Sequence, residues 1–299
     1  MKVGLISREG TPTIALQAGS GWLDFSGAYQ VYLLIHEKRA TEPLAELMPL
    51  LEAGRMTPAF FGEVLMFLEE HRLTDAYRLD APARFLLPLR PGKIIALGRN
   101  YAAHAAETGF DAPEEPIIFT KSSAACIGDG ETIIVRESYG RVDHEAELAI
   151  VIGKTARHVP IESALDFALG YTCGHDVSAR DCQLRLDTQW ARGKSFDTFA
   201  PLGPWIETEL DPDNAPIRTR LNGAVMQESN TSDLIFSCPE LIAYLSANMT
   251  LLPGTVIMTG TPSGVGFARK PPVFLRAGDV VEIEVDGIGT LRNTVVAEE

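Results

Sequence analysis

The sequence has no basic block: 26 lysines and arginines are scattered among 40 aspartates and glutamates, a formal net charge of −14. Nucleic acids and anionic membrane surfaces both require clustered Lys and Arg, so neither is expected as a partner. No apolar run approaches the roughly 18 residues of a membrane span. The N-terminus turns polar at Ser7-Arg8-Glu9, before a signal-peptide core could form. Cysteine is scarce. Cys126, Cys173, Cys182 and Cys238 form neither a CxxC pair nor a zinc ribbon, which excludes a disulfide scaffold and leaves reduced thiols. A soluble, cytoplasmic protein is the expectation, and 45% hydrophobic content over 299 residues supplies a sizeable core.

Nucleotide and serine-nucleophile signatures are missing as well. Gly193-Lys194-Ser195 resembles the tail of a phosphate loop, but Thr188 stands where its first glycine belongs. Gly260-Thr261-Pro262-Ser263-Gly264-Val265-Gly266 follows a strand-like segment and precedes no helical pattern, and Ser263 lacks the flanking glycines of a nucleophile elbow. His36, His71, His144, His158 and His175 have no metal-ligand spacing and read as structural or solvent-facing.

What is present is a change of character along the chain. Residues 2–7 and 13–16 are strand-like, and residues 30–38 and 58–71 carry helical patterning. Leu86-Leu87-Pro88-Leu89-Arg90-Pro91-Gly92 then breaks regular structure, which predicts a small N-terminal domain over residues 1–88 and a larger one over 89–299. The larger part is rich in short strands, at 93–97, 117–120, 133–136 and 147–152. Asn222-Gly223 and Asp286-Gly287 mark hairpins, and Ser237-Cys238-Pro239-Glu240 starts a helix. The pattern predicts a β-rich α+β fold rather than a doubly wound one.

Asp143-His144-Glu145-Ala146-Glu147-Leu148-Ala149-Ile150-Val151 is the most informative stretch. As a strand it puts Glu145 and Glu147 on one face with Ala149 and Val151. Two carboxylates about 6 Å apart at an effective dielectric of about 20 repel by about 3 kcal/mol, so they take up a proton, splay into water or share a cation. A second apolar run, residues 167–174, ends at His175-Asp176. Two Glu and one Asp make an all-oxygen set that suits Mg²⁺ or Mn²⁺ better than zinc. In Asn100-Tyr101-Ala102-Ala103-His104-Ala105-Ala106-Glu107, His104 and Glu107 share a helix face, and a carboxylate there can orient an imidazole as a base.

These segments together resemble the fumarylacetoacetate hydrolase family. Gly98-Arg99-Asn100-Tyr101 with His104 and Glu107, His144-Glu145-Ala146-Glu147-Leu148, Asp176-Val177-Ser178-Ala179-Arg180-Asp181, Gly193-Lys194-Ser195-Phe196-Asp197 and the glycine-rich run after Thr259 fall in the family's order from about residue 92 to 295. The resemblance implies the β-rich mixed sandwich or roll of that family's C-terminal type, with a small N-terminal α+β domain of the kind longer bacterial members carry. It implies Mg²⁺ or Mn²⁺ on Glu145, Glu147 and Asp176, a His104–Glu107 dyad on a segment that orders over the site, and Lys194 as an active-site lysine. Gln183, Thr261 and Thr198 match substrate-contacting positions, and the fourth carboxylate some relatives carry before the dyad has no counterpart in residues 98–101.

The activity so implied is metal-dependent hydrolysis of a carbon–carbon bond in acylpyruvate-type β-diketo acids, through an enolate and a water activated by His104 and Glu107. The alternatives are decarboxylation of an oxaloacetate-type 2-oxo acid, or isomerisation of an unsaturated 2-oxo diacid such as 2-hydroxyhepta-2,4-diene-1,7-dioate. A non-catalytic protein that keeps the metal for stability is the reading from another class. The resemblance also implies a homodimer.

Overall fold

The computed structural model describes residues 1–80 and 84–298. The fold is α+β, with two large sheets, a two-stranded ladder and a small set of helices among the described residues. Among the described residues, a 12-stranded mixed sheet runs from Arg78–Leu79 at one edge to Ile117–Lys121 at the other. Its middle is Lys2–Arg8, Ala200–Glu207, Ala168–His175, Ala146–Ile152, Val256–Met258 and Ile94–Gly98 in spatial order. The N-terminal strands therefore belong to the same sheet as the later ones. Lys2–Arg8 pairs with Thr11–Ala18, with Ala200–Glu207 and with Phe85–Leu86.

Burial on both faces explains the unbroken apolar run in Ala146–Ile152. Leu148, Ile150 and Ile152 point to one core, shared with Ile217, Ile283 and Leu291 of a five-stranded antiparallel-to-mixed sheet and with Leu241 and Leu245 of the helix Cys238–Asn248. Ala149 and Val151 point to a second core, shared with Phe25, Phe61 and Leu68 of the N-terminal helices. A strand covered on both sides needs no polar face, except where its end meets a cavity.

The helix expected over residues 30–38 runs Phe25–Ile35 instead. Asp24 sets its start: the Asp24 carboxylate accepts the Gly27 N–H at 2.8 Å, satisfying a first-turn donor that apolar spacing does not reveal. Thr57 caps Pro58–Glu70 in the same way, accepting from the Phe60 N–H at 3.1 Å. Both expected hairpins form, at Asn222-Gly223 between Pro216–Leu221 and Ala224–Asn230, and at Asp286-Gly287 between Val280–Val285 and Gly289–Ala297.

Leu148 has no solvent exposure and sits at the centre of the first core. Leu148→Ala is expected to cost about 2–5 kcal/mol, measured as a lower urea midpoint with an unchanged slope.

Candidate active site

The acidic cluster is assembled by strand pairing. Ala146–Ile152 and Ala168–His175 run antiparallel with Ala146 opposite His175 and Glu147 opposite Gly174. The Asp176 N–H then donates to the Glu145 carbonyl at 2.9 Å, which fixes the end of one strand against the start of the other. Alternation turns Glu145 and Glu147 to the same side, and the register supplies Asp176. One oxygen from each of the three carboxylates lies within 4.8 Å of the others, and all three residues are buried.

Buried carboxylates this close require compensation, and three basic groups provide it. Arg180 donates from Nε to Asp143 at 2.8 Å, from Nη2 to Glu145 at 2.6 Å and from Nη1 to Gln183 at 2.8 Å. Lys194 Nζ bridges Glu145 at 2.6 Å and Asp176 at 2.5 Å, and Lys121 donates to the other Asp176 oxygen. Burial pushes the Glu145 carboxyl up, but Arg180 and Lys194 outweigh it and hold it well below the usual range. Burial likewise works against the Lys194 ammonium, while Asp176 and Glu145 reverse the balance and raise its pKa. At Lys121 burial wins and the pKa falls.

Glu147 is the exception. Its protein partner is the Gly260 N–H at 2.8 Å, and no cation touches it among the described residues. Burial, with Asp176 and Glu145 alongside, pushes its carboxyl well above the usual range. Asp143, Glu145, Glu147 and Asp176 thus face Lys121, Arg180 and Lys194, leaving one negative charge in excess if all are ionised. An oxygen-only donor set with an under-compensated carboxylate fits a hard divalent cation held by Glu145, Glu147 and Asp176.

His104 reaches this cluster from a six-residue helix, Ala102–Glu107, that follows the strand Ile94–Gly98. Between them Asn100 is locked: its amide donates to the Phe236 and Thr259 carbonyls at 3.0 and 2.8 Å and its carbonyl accepts the Phe236 N–H at 2.8 Å. His104 Nδ1 lies 2.9 Å from Glu107 Oε1. Glu107 is itself held by the Gly264 N–H, at 3.1 and 3.0 Å to its two oxygens.

The glycine-rich run is the binding frame for three acids. Gly260 donates to Glu147, Gly264 to Glu107, and Gly266 and Phe267 to Asp143 at 2.7 and 3.0 Å. The glycines are required by contact. A Cβ on Gly266 would lie 1.8 Å from the Val273 carbonyl oxygen, and one on Gly264, at φ +101°, 2.2 Å from the Met226 oxygen.

A cavity of about 490 Å³ of unfilled space, its open mouth included, is lined by His104, Glu145, Glu147, Asp176, Gln183, Lys194 and Thr261. Glu107 stands behind His104. Thr198 is not brought to this cavity: its hydroxyl accepts the Ile134 N–H at 2.8 Å beside the strand Thr132–Val135. Of the remaining histidines, His36, His71 and His158 are exposed, whereas His144 and His175 are fully buried next to the acids with no hydrogen bond on either ring nitrogen. Burial keeps both neutral, drawing His175 down to about 3.

Sequence reasoning missed Lys121, Arg180 and Asp143 as parts of the site. Arg180 carried a signal, an arginine directly after the small pair Ser178-Ala179 in the Asp176–Asp181 block. Lys121 did too, as a lysine ending the apolar strand Ile117–Lys121.

The family description "Fumarylacetoacetate (FAA) hydrolase C-terminal" matches residues 93–296. The chain is a member of the fumarylacetoacetate hydrolase family. Among curated relatives, an uncharacterised protein of Archaeoglobus fulgidus is 51% identical over 236 residues, covering 79% of this chain and 88% of that one. A mitochondrial oxaloacetate tautomerase of Homo sapiens is 45% identical over 217 residues, 71% of this chain and 69% of that one. Among family structures, a 5-carboxymethyl-2-hydroxymuconate delta-isomerase from Mycobacterium smegmatis matches with a TM-score of 0.74 at 38% identity, covering 100% of both chains. A fumarylacetoacetate hydrolase from Exiguobacterium antarcticum matches with a TM-score of 0.79 at 34% identity, again over 100% of both. Membership makes the chain an enzyme of this superfamily acting on a small molecule. Among the described residues no helix is long and apolar enough to cross a membrane.

Glu147→Gln removes the under-compensated charge. Because the folded state raises the Glu147 pKa, the parent loses stability as pH rises above the ordinary glutamate value of 4.5. In EDTA at neutral pH the variant is therefore expected to melt higher than the parent. Added Mn²⁺ should stabilise the parent and leave the variant nearly unchanged.

Proposed function

We propose that this enzyme moves a proton at the carbon beside the carbonyl of a 2-oxo acid, interconverting enol and keto forms, with oxaloacetate the first substrate to test. The observation that carries the reading is the His104 ring, tied at Nδ1 to Glu107 at 2.9 Å and lining one cavity with Glu145, Glu147, Asp176 and Lys194. Relatives named a tautomerase and an isomerase support it, since both names denote rearrangement without loss of carbon.

Glu145, Glu147 and Asp176 would hold Mg²⁺ or Mn²⁺. When bound, such an ion draws electron density from the 2-oxo oxygen and acidifies the adjacent carbon. Glu107 keeps the proton on His104 Nδ1, which leaves the Nε2 lone pair as the base. The C3–H bond breaks: its proton moves to Nε2, which returns it to solvent, and its electron pair becomes the C2=C3 bond. The carbonyl π pair moves onto the oxygen, which takes a proton from solvent to give the enol. Lys194, already charged through Glu145 and Asp176, faces the negative charge that builds there.

Hydrolysis of an acylpyruvate-type β-diketo acid is the second reading. It rests on the same dyad, with Nε2 directed at a water instead of at C3.

The test follows decay of enol oxaloacetate by ultraviolet absorbance and pyruvate release from oxaloacetate and acetylpyruvate, each with Mg²⁺, Mn²⁺ or EDTA. Expected are metal-dependent tautomerisation faster than any pyruvate release and a loss of about 100-fold or more in His104→Ala, with Mn²⁺ binding retained. Faster pyruvate release from acetylpyruvate would establish the hydrolase reading, and from oxaloacetate a decarboxylase. An unaffected His104→Ala would remove the assigned base.

A further inference from the structure

Three cationic side chains line the cavity: Arg99, Arg180 and Lys194. Two of them are committed. Arg180 binds Asp143, Glu145 and Gln183, and Lys194 binds Glu145 and Asp176. Arg99 makes no hydrogen bond or ion pair among the described residues, and the influence on its pKa is burial, which lowers it.

The guanidinium of Arg99 is nonetheless held in place. Its central carbon lies 3.3 Å from the centre of the Phe110 ring and 6.0 Å from that of Trp190. Trp190 in turn leans on Gly98, where a Cβ would come within 2.7 Å of the indole. The backbone at Arg99 is left-handed, with φ 57°, an uncommon conformation for a non-glycine residue. The locked Asn100 side chain is the neighbouring constraint. A guanidinium stacked by its face keeps its N–H edges free, and those edges match a carboxylate in the same plane, two bonds to two oxygens.

We infer that Arg99 reads a second carboxylate on the substrate, remote from the 2-oxo acid end, and so selects diacids over monoacids. The inference rests on the proposed reading only in taking Glu145, Glu147, Asp176 and Lys194 as the end that receives the 2-oxo acid. The remote end then meets the one cavity cation that no protein carboxylate engages among the described residues. Phe110 belongs to the segment following Glu107, so the aromatic that stacks Arg99 is carried beside the dyad. Recognition of the remote carboxylate and placement of the base share one stretch of chain.

The simpler role for Arg99 is a clamp on Phe110 with no contact to substrate, and the test separates the two. Binding of malate and lactate, unreactive 2-hydroxy acids that differ in the remote carboxylate, is measured by calorimetry on the Mn²⁺-loaded protein. The parent is expected to bind malate at least tenfold tighter than lactate. Arg99→Gln should abolish that preference with lactate affinity unchanged, and Arg99→Lys should keep part of it. A parallel loss for both ligands in Arg99→Gln would reduce Arg99 to a clamp and overturn the inference, as would a parent that does not prefer malate. Because neither ligand reacts, this outcome is independent of whether the tautomerase reading holds. In turnover, Arg99→Gln should lower kcat/KM for oxaloacetate about 100-fold and spare proton exchange at C3 of 2-oxobutyrate.

Discussion

Everything at the candidate site depends on one electrostatic problem, the crowding of Asp143, Glu145, Glu147 and Asp176, all of them nearly fully buried. Each pair repels, and burial removes the solvent that would soften the repulsion. Lys121, Arg180 and Lys194 come from three separate parts of the chain to offset it. Stripping one partner from such a set leaves a charge uncompensated, a cost of about 3–5 kcal/mol. The arrangement is therefore a poor way to stabilise a fold and a good way to prepare a cation-dependent site. Glu147, which among the described residues accepts no hydrogen bond from these bases, carries the charge left uncompensated.

The sheet makes that crowding tolerable. Ala146–Ile152 is packed on both faces, against the five-stranded sheet on one side and the N-terminal helices on the other. Its end is therefore anchored by two cores, and its carboxylates cannot relax apart by moving the strand. The N-terminal helices take part in this anchoring through Phe25, Phe61 and Leu68.

How far the site could be read in advance follows from whether each signal was local. The Glu145/Glu147 face was legible because alternation in a strand is a property of adjacent residues, and the His104–Glu107 pair because helical spacing is too. The helix at Cys238–Asn248 was legible from its capping residues, where Ser237 and Glu240 form the reciprocal pair. The start of Phe25–Ile35 was not, since its signal lay in Asp24 and not in the apolar spacing that follows. Convergence of Asp176 on the two glutamates was legible only through family resemblance, because strand register sets it across some thirty intervening residues. Arg180 and Lys121 escaped for the same reason: a buried cation is recognisable once its anions are located, and its own neighbours in sequence do not name them. The sequence also marks a break near Pro88, while the sheet runs on across it through the pairing of Val3 with Ile206.

The glycine-rich turn has a consequence for precision. It donates to Glu147 at one end, to Glu107 in the middle and to Asp143 at the other end. One short length of backbone thus works as a gauge, setting the spacing between the His104–Glu107 pair and the two other acids it holds. Thermal drift of the turn carries all three acids together, so their mutual alignment survives movement that would blur contacts made from independent loops.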